Sequence, residues 1–285
     1  MAYLGACGGQ GPKDGAARKR VIPIRNPLPL ACQLDAPSRR SYNPPVTNAS
    51  DPPSAAPVRR APSATRARLA RPPEAILFDL DGTLVATSLS FDRMRDDLLR
   101  VVRAYGAYDA SLATLDMLSV VEQVAARMAL RGRELAFRSD AEDAMASLEV
   151  AAAQGATEIP PALSVLQQLA ASGIKIGIVT RNCRAAAEEE LRRVPLAHHL
   201  LLTRSDVRLT KPHPEQLLTA LRLLNARPAY SVMVGDHHMD VQGGRAAGML
   251  TVGLLRPGTQ HTRFESHPPD LLVHTLEQLL PWTLA

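Results

Sequence analysis

Two carboxylates stand at the end of a stretch otherwise suited to a protein interior. Ala75 to Phe78 form a continuous apolar run with β-branched and aromatic members, and Asp79 and Asp81 follow at its carboxyl end. Such a run predicts a strand covered on both faces. Leaving both acids buried and unpaired is strongly unfavourable, so the fold has to neutralise them, and a divalent cation is the simplest partner. Gly82 supplies a backbone that can turn tightly or approach a ligand, and Thr83 adds a hydroxyl and a backbone N–H facing the same place.

Downstream, the pattern alternates. Leu163, Leu166 and Leu169 mark a helix opened by Pro160 and Pro161, and residues 174–179 read as a strand that Thr180 ends. A helix over 184–194, a strand over 200–202 and a helix carrying Leu217, Leu218, Leu221 and Leu224 follow. Residues 231–234 form a strand ending in Gly235 and Asp236, a helix runs to Gly248, and short strands over 251–254 and 271–273 precede a closing helix. Alternation of this kind predicts an α/β fold with a doubly wound parallel sheet and right-handed crossovers, so all strand carboxyl ends share one edge, where ligands bind. Asp79, Thr180 and Asp236 are each the first polar residue after an apolar strand, which brings three distant groups to one crevice.

Residues 88–157 interrupt the alternation and read as helices only. Phe91, Met94, Leu98 and Val101 or Val102 mark one helix, ended by Gly106. Leu112, Leu115, Leu118, Val121 and Val124 predict a second. Phe137, Ala141, Met145, Leu148 and Ala152 predict a third, and Gly155 closes the block.

Composition narrows the function classes. With 285 residues and 46% hydrophobic content, the chain can hold one to two domains. Its net charge of +5 is uneven: residues 1–70 carry eleven Lys or Arg against three Asp and no Glu, which leaves the remainder acidic by about three charges. The body lacks the clustered cations and aromatics of a nucleic-acid surface, so nucleic acid is not expected as a partner. No apolar run is long enough to span a bilayer, so no membrane partner is expected either. Cys7, Cys32 and Cys183 are too few and too scattered for a disulfide framework or a zinc site. Residues 1–70 hold eleven of the twenty-three prolines and keep no apolar period, which predicts a disordered extension. Rich in Arg and poor in acid, it reads as a transit peptide for the chloroplast, with a mitochondrial or cytoplasmic location as the alternative.

Asp79-Leu80-Asp81-Gly82-Thr83-Leu84 resembles the first motif of the haloacid dehalogenase-like (HAD) hydrolases, a superfamily dominated by Mg²⁺-dependent phosphatases. The resemblance runs from about residue 74 to the end of the chain. It implies a Rossmann-like core of residues 71–87 and 158–285 around a small helical cap of residues 88–157, similar to phosphoglycolate phosphatase-like members. It also implies that Asp79 is the nucleophile that forms an aspartyl phosphate, and that Asp81 protonates the leaving group and then activates water. Dehalogenases in the family lack this second Asp, which favours phosphoryl chemistry. Gly235-Asp236-His237-His238-Met239-Asp240 resembles the fourth motif. Asp236 is then expected to bind Mg²⁺ with Asp79 and the main-chain carbonyl of Asp81, and Asp240 to bind it through water or orient its shell. His237 and His238 depart from the pattern; they read as solvent-facing or supporting groups, with a His-ligated transition metal as the alternative.

Thr180 resembles the second motif, whose hydroxyl meets a phosphate oxygen, and Lys211 before Pro212 resembles the third, a cation that offsets transferring charge. Gly82, Thr83, Asn182 and Arg181 complete the expected phosphate site, although Arg181 fits phosphate and solvent equally well. Cys183 beside them reads as a packed thiol. The function expected is Mg²⁺-dependent hydrolysis of a small phosphorylated metabolite. A phosphomutase of the same fold, or an inactive binding or scaffold protein, is the alternative; Thr83 leans towards phosphatases. Deleting residues 1–70 is expected to leave turnover unchanged and to move the melting temperature by less than about 5 °C, roughly the effect of a kcal/mol in a domain of this size. A larger drop would make the extension part of the fold.

Overall fold

Every side chain of strand β1 (Ala75–Phe78) is fully buried, and the pleat divides the four between two cores. Ile76 and Phe78 pack with Leu166, Leu169 and Val234 on one side of the sheet. Ala75 and Leu77 pack with Leu217, Leu221 and Met233 on the other. A strand dry on both faces needs helices on both, and the chain order supplies them. The computed structural model describes residues 72–258 and 261–283; the extension and transit peptide expected over residues 1–70 lie outside them.

After β1 come β2 (Val85–Ala86), helices α1 (Phe91–Ala104), α2 (Met117–Ala129) and α3 (Glu134–Ala153), and β3 (Thr157–Glu158). The chain continues through α4 (Ala162–Ala171), β4 (Lys175–Val179), α5 (Arg184–Arg193), β5 (Leu200–Leu202), α6 (Glu215–Leu223) and β6 (Ser231–Gly235). Helix α7 (His238–Ala246), β7 (Leu250–Leu254), β8 (Leu271–Val273) and the short α8 (Leu280–Thr283) complete it. Six strands form one parallel sheet in the order β5-β4-β1-β6-β7-β8. This is the doubly wound α/β fold that the alternation predicts. Because β4 lies on one side of β1 and β6 on the other, the winding reverses beside β1, and the crevice at such a reversal is where open α/β sheets bind ligands. Asp79 and Asp236 stand at the two strand ends that frame it.

The helical block has its own core, in which Leu98, Val124, Met128, Phe137 and Met145 are buried. The Phe137 and Tyr105 rings meet edge to face with centroids 5.3 Å apart. Its entry and exit are fastened together: β2 pairs antiparallel with β3, Val85 opposite Glu158, and the Ile159 N–H donates to Leu84 O at 2.9 Å. The boundary expected between residues 157 and 158 falls inside β3.

One helix differs from expectation. The stripe beginning at Leu112 does not make a single helix; Leu112 lies in a separate 3₁₀ turn (Ala110–Thr114), and α2 starts only at Met117. Asp109 and Asp116 cause the break. Their carboxylates accept from the Ser111 and Ser119 N–H groups, offering the backbone a cap in place of a further helical turn. Arg95 then ties the intervening segment down by donating to the carbonyls of Leu112, Ala113 and Leu115. Among the described residues, no helix is long and apolar enough to cross a membrane.

Because the helical block and the sheet have separate cores, damage to one should stay local. Phe137→Ala removes a fully buried ring, which costs about 3–5 kcal/mol. We expect faster amide exchange throughout α1–α3 with little change in β1; an equal loss of protection in both would show that the two cores unfold as one.

Candidate active site

Lys211 lies at the centre of the crevice with its side chain 1% exposed. Its ammonium donates to Asp79 Oδ1 at 2.8 Å, Asp240 Oδ1 at 2.7 Å and the Val179 carbonyl at 2.8 Å, so all three hydrogens are used. Burial alone would depress the Lys211 pKa, but Asp240 and Asp79 more than offset this and hold it above its ordinary value. Asp236 joins Asp79 and Asp240 in a group of three acids, one carboxylate oxygen of each lying within 4.8 Å of the others. Burial raises all three carboxyls, Asp79 to about 6, with Lys211 pulling Asp79 and Asp240 part of the way back.

Two glycines make room for this concentration of charge. Gly82 turns with φ +79°, and a Cβ there would stand 2.5 Å from Asp236 Oδ2. A Cβ on Gly235 would stand 2.2 Å from Asp240 Oδ2. An all-oxygen donor set on a glycine-lined floor suits a hard divalent cation, and Asp79, Asp236 and Asp240 are the side chains that can hold one. Neither His237 nor His238 belongs to this group. Instead His237 caps α7: its ring accepts from the Met239 N–H, and its main-chain N–H donates to Asp240 Oδ2 at 3.1 Å. Burial lowers the His237 pKa to about 4, which keeps the ring neutral.

Asp81 has a different set of hydrogen-bond partners. Thr87 donates to its Oδ1 at 3.2 Å and Asn182 to its Oδ2 at 2.6 Å. Burial, reinforced by Asp79, raises its pKa to about 7. Two carboxyls two residues apart are thus held in different settings, one ion-paired and one near the midpoint of its titration at neutral pH, the usual arrangement when one acts as nucleophile and the other moves protons.

Other expected phosphate groups fall into varied places. Thr180 is buried, and its hydroxyl accepts from the Asn182 N–H at 3.1 Å, which leaves its own hydrogen to donate. The Gly82 and Thr83 N–H groups close the turn onto Val85 O and Leu80 O, while the Thr83 hydroxyl reaches Asp236 Oδ1 at a long 3.5 Å. These two residues shape the acidic floor more than they present donors. Arg181 pairs with Asp116 at the start of α2, touches Met239 and lines the cleft beside Lys211. Cys183 is packed against Ala153 and Ala186, and burial pushes its thiol up to about 11.

Three features had no motif to announce them. Arg263, from the segment after β7, pairs with Asp236 and donates to its carbonyl at 3.3 Å. Arg204 and Glu149 form a buried ion pair that fastens α3 to the core, with Glu142 on the other guanidinium nitrogens. Glu190 on α5 shares the Asn182 amide with Asp81. Beside Lys211 a cleft of about 1060 Å³ opens between the helical block and the core, lined among others by Asp116, Glu122, Arg138, Arg181 and Arg208.

A family model described as haloacid dehalogenase-like hydrolase matches residues 76–254. The chain is 29% identical over 222 residues to pyrophosphatase PpaX of Bacillus mycoides (strain KBAB4), an overlap covering 72% of this chain and 94% of PpaX. It resembles the crystal structure of a HAD family hydrolase from Deinococcus radiodurans R1 with bound phosphate and sodium, at a TM-score of 0.51 and 25% identity, over 75% of this chain and 97% of that one. A hydrolase from Pseudomonas syringae shares the fold at a TM-score of 0.54 and 21% identity, over 74% of this chain and 97% of that one.

The raised carboxyl pKa values have a consequence for stability. Asp79 and Asp81, near 4 when unfolded, titrate at about 6 and about 7 when folded. A folded pKa above the unfolded one favours the folded state in acid, and that contribution is lost as pH rises through the folded values. The melting temperature of metal-free protein should therefore carry a destabilising contribution that grows between pH 5 and 8. Adding a divalent salt, which binds ionised carboxylates, should raise the melting temperature more at pH 8 than at pH 5. An equal or larger rise at pH 5 would contradict the carboxylate site.

Proposed function

The chain belongs to the haloacid dehalogenase-like hydrolases, and from that premise we propose that it is a Mg²⁺-dependent phosphatase of small phosphorylated metabolites, working through an aspartyl phosphate on Asp79. The observation that carries this reading is the pair of carboxyls in unlike settings: Asp79 bound to Lys211 beside two further acids, and Asp81 held by Thr87 and Asn182. The name of PpaX as a pyrophosphatase and the phosphate held by the Deinococcus radiodurans hydrolase support phosphoryl chemistry and make inorganic pyrophosphate an early compound to assay.

In this reading the Asp79 carboxylate attacks phosphorus, and the phosphorus–oxygen bond to the leaving group breaks as that oxygen takes the Asp81 proton. Asp81, now a carboxylate, removes a proton from water, which attacks the aspartyl phosphate, releases inorganic phosphate and restores Asp79. Lys211 offsets negative charge as the phosphoryl group passes to Asp79, and the Thr180 hydroxyl is placed to donate to a phosphoryl oxygen. Asp79, Asp236 and Asp240, with the Asp81 main-chain carbonyl, would hold Mg²⁺. Bound there, Mg²⁺ supplies Lewis-acid stabilisation of phosphoryl charge. The cleft beside Lys211, with arginines and acids interspersed, suits the polar remainder of a small substrate.

Kinetics of single variants test the division of roles. Asp79→Asn should abolish turnover, and EDTA should do the same to the wild type. Asp81→Asn should slow hydrolysis of an alkyl phosphate by roughly 10²–10⁴-fold. Its penalty in the first step should shrink with an aryl phosphate, whose leaving group needs little protonation. Normal turnover by Asp79→Asn would overturn the assignment.

A further inference from the structure

One buried carboxyl takes no part in that chemistry. Glu190, on α5, is 1% exposed; its Oε1 accepts from Asn182 Nδ2 at 3.0 Å, and its Oε2 has no hydrogen-bond partner. The same Asn182 nitrogen donates to Asp81 Oδ2 at 2.6 Å. A single NH₂ group thus gives its two hydrogens to carboxyls on two different elements. The Asn182 main-chain N–H is in turn fixed on the Thr180 hydroxyl.

The surroundings decide the charge on Glu190. Asp81 and Asp79 face it from the end of β1, and Glu149 faces it from α3. Arg204, the cation beside Glu149, is committed to Glu149 and Glu142. A carboxylate with an unpaired oxygen among acids is strongly disfavoured, and burial with these neighbours raises the Glu190 pKa to about 9. At neutral pH it is an uncharged acceptor. An apolar side chain would fill the position without this penalty, but would leave one Asn182 hydrogen unpaired and the amide free to turn away from Asp81.

Building on the phosphatase reading, we propose that Glu190 is a positioning residue for proton transfer: its carboxyl fixes the Asn182 amide, and that amide holds Asp81 in place for the leaving oxygen and the attacking water. Glu190 touches no reacting atom. Its influence passes through Asn182 and should appear in the steps that need Asp81, and not in substrate binding.

Glu190→Gln keeps a neutral acceptor and Glu190→Ala removes it; if Glu190→Ala fails to fold, Glu190→Leu fills the space without an acceptor. With Mg²⁺, Glu190→Gln should hydrolyse an alkyl phosphate and p-nitrophenyl phosphate within about twofold of wild type. Glu190→Ala should lose about tenfold or more in kcat/KM, which reports the leaving-group step, on the alkyl phosphate and much less on the aryl phosphate. Hydrogen exchange at the Asn182 side-chain amide, followed by ¹⁵N NMR and identified by its loss in Asn182→Ser, should be slow in wild type and Glu190→Gln and at least about tenfold faster in Glu190→Ala. Unchanged exchange in Glu190→Ala, an equal loss of kcat/KM on both phosphates, or damage by Glu190→Gln matching that of Glu190→Ala would overturn the inference. If wild type hydrolyses neither phosphate, the phosphatase reading fails on its own, and amide exchange still decides whether Glu190 holds Asn182.

Discussion

A lysine ammonium with three hydrogens and three acceptors, sealed from water, holds the centre of this protein together. Lys211 reaches the end of β1 through Asp79, the end of β4 through the Val179 carbonyl and the first turn of α7 through Asp240. Those three elements meet where the sheet reverses its winding, so one side chain pins the crevice that the topology opens. Removing it would leave two buried carboxylates without their cation, a far larger penalty than the loss of an exposed ion pair.

The acids remain in excess even so. Asp79, Asp236 and Asp240 are paired with Lys211 and Arg263, and the raised pKa values of all three record the excess of acid. A fold that tolerates this must be stabilised elsewhere. The dry faces of β1, β4 and β6 and the separate core of the helical block supply that stability. Gly82 and Gly235 are the local cost of the arrangement, positions where any side chain would collide with a carboxylate. Site and scaffold are therefore specified together, with the strands fixing where each acid emerges and the glycines letting the acids approach one another.

Strand ends were the legible part of the sequence. An apolar run closed by a polar residue specifies its own register and exit, which is why Asp79, Thr180 and Asp236 could be placed at one edge from pattern alone. Lys211 was legible by its position between motifs. The helical block was legible in outline, but the break at Asp109 and Asp116 was not, because a short acid in a helical stripe reads equally well as an exposed residue or a cap. Buried charges on helices were hidden for a related reason. Glu149 and Glu190 occupy positions where helix patterning expects solvent, and only the packing of α3 against α5 shows that both are covered. Arg181 reads as phosphate-facing or exposed until the fold brings Asp116 to it. Arg263 lies in an irregular segment with no spacing to Asp236 that a pattern could register.

The central claim is that the carboxylate at the end of β1 becomes covalently phosphorylated. Acid quenching of Asp81→Asn protein during turnover of an aryl phosphate, followed by peptide mass spectrometry, addresses it directly. The account predicts one peptide heavier by a single phosphoryl group, with the modification on Asp79 and absent when EDTA is present. A phosphoryl group on another residue, or none while hydrolysis proceeds, would contradict it.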